Sequence, residues 1–309
     1  MGIARSILLW GSQNRWIENQ FRRRRFARYA VSRFIPGEDI DSALAEAKKL
    51  GRRNISTVVT QLGENLTSMD EADQVAAHYI DVLDKTDDLG LNCHISIKPT
   101  QLGLDLDKKQ TAKHLEALVV HAASRNNVIW VDMEASKYVD ATLDLYCQLR
   151  ERHENMGLCL QAYLHRTPQD VDRLLAMGSA IRLVKGAYRE PPNVAMARKR
   201  DVDDAFVRLA TTIAGQAARG TAIKPGIATH DMTIIAELRR IAADRHWENA
   251  FEVQMLYGIR RAEQLRHAEA GVPTRVLISY GPAWFAWYMR RLAERPANMG
   301  FVLRAMFWR

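Results

Sequence analysis

Short β-branched apolar runs alternate with longer stretches whose apolar residues return every three or four positions, from Ile55 almost to the C-terminus. The runs Ile55–Leu62, His94–Thr100, Val128–Met133, Leu158–Leu164, Ala180–Gly186, Gly226–His230, Ala250–Leu256 and Arg275–Tyr280 predict eight strands. The segments Glu71–Leu83, Gln110–Ala123, Tyr138–Arg152, Pro168–Ala176, Asp203–Ala218, Thr233–Ala243 and Arg260–Ala270 carry the helical period between them. Strands buried on both faces and joined by helices pair in parallel. Eight such units close into a (β/α)8 barrel, so the fold class expected is α/β. A doubly wound open sheet is the rival, but it calls for a Gly-rich turn after the first strand, and Leu62-Gly63-Glu64-Asn65 is not that turn.

Residues 1–52, including a helix over Ser42–Leu50, read as an N-terminal helical arm packing on the barrel, and residues 53–309 read as the barrel domain. A chain of 309 residues, 47% hydrophobic and 26% charged, has material for one large globular core. No run approaches the roughly 20 apolar residues of a membrane span. Ile7-Leu8-Leu9-Trp10 is too short for a signal-peptide core. The expected location is therefore cytoplasmic. Cys93, Cys147 and Cys159 have no CxxC or Cys/His spacing and read as buried free thiols.

The net charge of +8 is concentrated at Arg22-Arg23-Arg24-Arg25, followed by Arg28 and Arg33 and interleaved with Phe21, Phe26, Tyr29 and Phe34. That pattern suits the solvated face of a packing helix, or peripheral contact with the anionic inner face of the cell membrane. No nucleic-acid motif accompanies it, so no nucleic-acid partner is expected.

Chemistry in such a barrel sits at the C-terminal ends of the strands. Read in order, those ends present Glu64, Lys98, Asp132, Gln161, Arg182 with Lys185, Thr229-His230, Gln254 and Tyr280. Lys98 and Asp132 come from neighbouring strands and could pair. Past the last strand, Arg290 and Arg291 lie in an apolar stretch, and on a helix Tyr288, Arg291 and Glu294 would share a face. One arginine could be held by a protein carboxylate while the other forks onto a ligand carboxylate. No zinc pattern, Ser/His/Asp order or paired acid–base carboxylates stand out, which points to chemistry carried by a cofactor.

With these motifs in place the chain resembles the monofunctional bacterial proline dehydrogenases from about Asp41 to Arg304. The resemblance is carried by Leu62-Gly63-Glu64, Ile97-Lys98-Pro99-Thr100-Gln101-Leu102-Gly103-Leu104, Val131-Asp132-Met133-Glu134, Gln161-Ala162-Tyr163-Leu164 and Arg182-Leu183-Val184-Lys185-Gly186-Ala187-Tyr188. It continues through Ala228-Thr229-His230-Asp231, Phe251–Gly258 and Tyr288-Met289-Arg290-Arg291-Leu292-Ala293-Glu294. It implies an FAD-binding barrel that oxidises L-proline to Δ1-pyrroline-5-carboxylate and passes electrons to a membrane quinone. It also implies that Arg290 and Arg291 hold the proline carboxylate with Lys98 beside them, that Asp132 supports Lys98, and that Arg182 reaches the reactive edge of the flavin. Met133, Gln161, Lys185, Gly186, Ala187, Thr229, His230 and Glu294 match flavin-contacting positions. Leu256 and Tyr280 are expected to wall the proline ring, Tyr280 rejecting a ring hydroxyl, and Glu64 to close the site on Arg290. With nothing after Arg309, the product is expected to pass to a separate pyrroline-5-carboxylate dehydrogenase. The readings set against this are a flavin barrel of the methylenetetrahydrofolate reductase type and a non-catalytic barrel whose basic arm binds membrane or a partner.

Overall fold

The structure, a computed structural model, describes residues 32–63 and 66–285. Eight parallel strands close into a barrel in sequence order: β1 Ser56–Gln61, β2 Cys93–Ile97, β3 Ile129–Val131, β4 Met156–Gln161, β5 Ala180–Val184, β6 Gly226–Ala228, β7 Glu252–Leu256 and β8 Thr274–Tyr280. The seam is the β1–β8 pairing, which runs from Ser56 opposite Arg275 to Gln61 opposite Tyr280. The (β/α)8 expectation is met strand for strand.

Each crossover carries a helix: α1 Ile40–Gly51 precedes the barrel, then α2 Met69–Asp88, α3 Lys108–Ser124, α4 Val139–Arg150, α5 Thr167–Ala176, α6 Lys199–Ala217, α7 Met232–Asp244 and α8 Arg261–Glu269. Local sequence sets the starts. Asp39, Ser68, Asp107 and Asp231 each accept a backbone N–H of the first turn from an extended N-cap position. Glu71 reaches back to the Thr67 N–H at 2.8 Å, so the start of α2 is closed from both sides.

Six of the eight predicted strands ran one to three residues too far at their C-terminal ends, while β7 and β8 end at Leu256 and Tyr280 as expected. β2 stops at Ile97 because Pro99 opens a 3-10 turn over Pro99–Leu102, and proline has no N–H to donate to the ladder. α6 begins at Lys199, four residues before the expected Asp203, because its first turn is polar and shows no hydrophobic period.

Helix α1 buries Ile40, Ala43, Leu44, Ala47 and Leu50 and packs against β1 and β8. It therefore fills the flank of the seam where a regular barrel places its last helix. Two bonds tie this region down: Tyr257 donates to Glu46 at 3.0 Å, and the Trp284 indole donates to Glu38 at 2.7 Å. The basic run Arg22–Arg25 lies outside the described residues.

Strand alternation separates two layers. Outward residues such as Val59, Ile95, Val131, Leu160, Ile181, Leu183 and Ile278 form the apolar layer under the helices. Inward positions are far more polar than a barrel filled with branched aliphatics would be. Toward the N-terminal end, Arg275 of β8 donates to Glu252 of β7 at 2.7 Å and to the Thr57 carbonyl at 2.8 Å, while Gln254 donates to Glu252 at 2.6 Å. Elsewhere in the interior Val58, Trp130 and Ala180 pack together. The three cysteines are free and buried, and burial pushes the Cys93 and Cys159 thiols up to about 11 and about 12. No helix among the described residues is long and apolar enough to cross a membrane.

His94 on β2 accepts the Trp130 indole N–H through Nδ1 at 3.1 Å. Loss of water, with Arg275 and Arg182 nearby, holds its pKa well below the usual histidine value. His78 and His267 are lowered too, chiefly by burial. The unfolded chain takes up these protons near pH 6.5 and the native chain resists them. Stability should therefore fall as pH drops below that value. His94→Gln, which keeps an acceptor and cannot titrate, should flatten the acid limb of a Tm-versus-pH profile; an unchanged limb would remove His94 from the account.

Candidate active site

At the C-terminal end of the strands a cavity of about 590 Å³ is lined by Lys98, Asp132, Met133, Gln161, Arg182, Lys185, Gly186, Ala187, Thr229, His230, Gln254 and Leu256. Eleven of these residues were expected as site residues or as polar strand ends, as was Leu256 for the wall. Glu64, Arg290, Arg291 and Glu294 lie outside the described residues. The lining also includes Cys159, Tyr163, Val184, Tyr188, Ala228, Met255 and Leu277, to which sequence reading gave no role. The signal for several was strand parity: Cys159 is two residues before Gln161, and Val184 two after Arg182.

The floor is an ion pair. The Arg182 Nη1 donates to Asp132 Oδ1 at 2.9 Å and to Ser96 Oγ at 2.8 Å, and Ser96 Oγ donates to the same carboxylate oxygen at 2.9 Å. Arg182 is 2% exposed, and its Nε and Nη2 have no hydrogen-bond partner among the described residues. Gln161 donates to the carbonyls of Met133 and Glu134 at 3.3 and 3.2 Å, and its Oε1 is buried without a partner. Tyr163 Oη is likewise buried without a partner among the described residues. Buried polar atoms are normally satisfied, so four orphans on residues lining one cavity point to a polar ligand there. Asp132 was expected to support Lys98; its partners described here are Arg182 and Ser96, while Lys98 lines the same cavity.

The rim is built by the loops after β5 and β6. Gly186 has φ +116, and a Cβ there would lie 2.2 Å from the Tyr163 ring, so the turn that exposes the backbone of 185–188 needs glycine. Lys185 is held by Asp203 and, at 3.0 Å, by Asp231; Lys199 shares both carboxylates. Asp203 and Asp231 lie below the usual carboxylate range: their partial burial is outweighed by these lysines. His230 Nε2 accepts the Leu256 N–H at 2.9 Å, which places any ring proton of the neutral form on Nδ1.

Tyr280 does not join this cavity. On β8 the inward positions are Arg275, Leu277 and Ser279, so Tyr280 points into the helix layer, where its hydroxyl meets His78 Nε2 at 2.8 Å. Leu277 supplies the β8 wall instead. Tyr280→Phe should cost about 0.5–1.5 kcal/mol of stability for the lost bond and leave the KM of the substrate implied by the resemblance, and its preference over the ring-hydroxylated analogue, at parental values. A changed preference would return Tyr280 to the site.

A closed (β/α)8 barrel with a charged, ligand-sized cavity at its C-terminal rim is the architecture of an enzyme. The family model for proline dehydrogenase matches residues 43–304. Proline dehydrogenase 1 of Bacillus subtilis strain 168 is 36% identical over 98% of this chain and 99% of its own length, and the proline dehydrogenase of Deinococcus radiodurans is 35% identical over 89% of each. Among solved structures, proline utilization A from Bdellovibrio bacteriovorus aligns with TM-score 0.81 at 22% identity, over 98% of this chain and 39% of that one, a likeness of fold. The chain belongs to the proline dehydrogenase family and is an oxidoreductase of proline catabolism.

Proposed function

We propose that the chain binds FAD in this cavity and oxidises L-proline to Δ1-pyrroline-5-carboxylate, with a membrane quinone as electron acceptor. The observation that carries the reading is the set of buried polar atoms without a partner among the described residues on Arg182, Gln161 and Tyr163, three residues that line one cavity. They suit a ring system with both donors and acceptors on its edge, and the Gly186 turn lets backbone approach a ligand closely. The residues present fit the cofactor: Arg182 and Gln161 would hold its ring, and Met133, Lys185, Gly186, Ala187, Thr229 and His230 its remaining contacts. When bound, FAD supplies the acceptor for hydride from the carbon beside the substrate nitrogen.

The protein's own residues do the rest. Lys98 and Arg182 put positive charge beside the substrate, which disfavours a protonated amine and so helps the nitrogen lose its proton. Arg290 and Arg291 are proposed to take the carboxylate by a bidentate fork, as the sequence motif implies. Glu64 is proposed to pair with Arg290 over bound substrate, and Leu256 and Leu277 to bound the apolar ring. Holding these groups in register is the orientation share of catalysis. The product is proposed to leave for a separate pyrroline-5-carboxylate dehydrogenase, from an enzyme in the cytoplasm or peripheral on the inner membrane face.

The test is spectroscopic. Purified protein should carry or take up FAD, and its 450-nm region absorbance should bleach anaerobically on adding L-proline but not NADH. Bleaching by NADH alone would favour the methylenetetrahydrofolate reductase type of barrel. A chain that takes up no FAD would support the non-catalytic reading.

A further inference from the structure

We infer that Trp130 is a positioning residue for Arg182, setting the tilt of its guanidinium toward the cofactor site. The inference rests on the proposed role of Arg182 at FAD. Ser96 and Asp132 both bind the single Nη1 of Arg182, at 2.8 and 2.9 Å. Two bonds at one corner leave a planar group free to tilt about that corner, and Nε and Nη2 are the atoms left over for a ligand. The Trp130 ring supplies the missing constraint, because the Arg182 Cζ lies 4.6 Å from its centroid. An aromatic face attracts a guanidinium and also gives it a plane to lie on.

Trp130 is itself held from three directions. Its indole N–H donates to His94 Nδ1 at 3.1 Å, and His94 stays neutral and able to accept. Val58 and Ala180 pack around it in the barrel interior, where it is 0% exposed. The third constraint is an absence of side chain: a Cβ at Gly157 would lie 2.5 Å from Trp130 Cζ3. Gly157 has no positive φ, so the glycine there answers to space for the ring and not to backbone conformation. Trp130 does not line the cavity, so its effect on a bound ligand passes through Arg182.

Trp130→Leu removes the plane and keeps the apolar volume in part; Trp130→Phe keeps an aromatic plane and loses the His94 bond together with part of the ring area. Gly157→Ala pushes the ring from behind and is an independent lesion of the same contact. The variants are purified with FAD and measured for cofactor content, for flavin midpoint potential against dyes, and for proline kcat and KM. Trp130→Leu is expected to lower kcat about tenfold with KM little changed. A tenfold loss in stabilisation of the reduced form would also read as a potential lower by about 30 mV for a two-electron couple. Trp130→Phe should restore most of both, and Gly157→Ala should move them the same way as Trp130→Leu. If Trp130→Leu does not fold, Gly157→Ala and Trp130→Phe decide between them. Variants that lose only thermal stability or FAD content, with potential and kcat per bound flavin at parental values, overturn the inference. A parent chain that takes up no FAD, or is not reduced by proline, overturns the cofactor reading itself and this inference with it.

Discussion

Arg182→Met is expected to slow proline oxidation about 10²–10³-fold, the usual cost of deleting one preorganised charge-stabilising donor. The substitution removes the two guanidinium nitrogens that have no partner among the described residues, and with them the cation proposed to disfavour a protonated substrate amine. It also strips Asp132 of its ion-pair partner in a largely enclosed interior. That second effect is one of stability, since a carboxylate left buried alone is costly. The two can be separated. The double variant Asp132→Asn/Arg182→Met should regain much of the thermal stability lost in Arg182→Met and regain none of the rate. If the double variant recovered activity as well, the deficit would have come from the stranded carboxylate and Arg182 would have no direct part in the chemistry. Thermal melts and steady-state rates on the parent, Arg182→Met, Asp132→Asn and the double variant give the comparison, with neighbouring groups expected to be non-additive.

The fold was legible because its information is periodic and repeated. The outward face of most strands is apolar, most helices return to it at three- and four-residue spacing, and acidic or hydroxyl caps mark starts such as Asp39, Ser68 and Asp107. The cavity was legible as well, because polar residues at strand ends converge on one rim in a closed barrel. Two kinds of residue were misread. Tyr280 was assigned to the site by its place at a strand end, but a one-residue difference in parity puts a side chain on the other face of a sheet. Trp130, Gly157, Arg275 and Glu252 gave no local signal at all. Each is explained only by a neighbour on another strand: the ring by the glycine that makes room for it, the arginine by the glutamate that pairs with it. Such cross-strand reasons exist only once the barrel is closed. Arg290, Arg291, Glu64 and Glu294 remain readings of sequence, being outside the described residues.

Glu252→Ala is expected to be the most destabilising single change in the barrel, costing about 3–5 kcal/mol. The Arg275 and Glu252 side chains are 6% and 7% exposed and 2.7 Å apart. Arg275 keeps contacts to the Thr57 carbonyl and, at 3.4 Å, to Asn92, but neither carries charge to offset a guanidinium that cannot lose its proton. Gln254 loses its acceptor at the same time. For a domain of this size each kcal/mol moves Tm by about 2–4 °C, so a fall of roughly 6–20 °C follows. The pair sits at the N-terminal end of the strands and reaches the cavity only through Gln254, so the change in proline KM measured well below the transition should be small and should be reproduced by Gln254→Ala. Replacing both charges, in Glu252→Met/Arg275→Leu, should recover most of the loss, because well-packed apolar residues often match or exceed a buried ion pair. A Glu252→Ala protein that melts with the parent would show that water reaches Arg275 and that the barrel floor is not closed there.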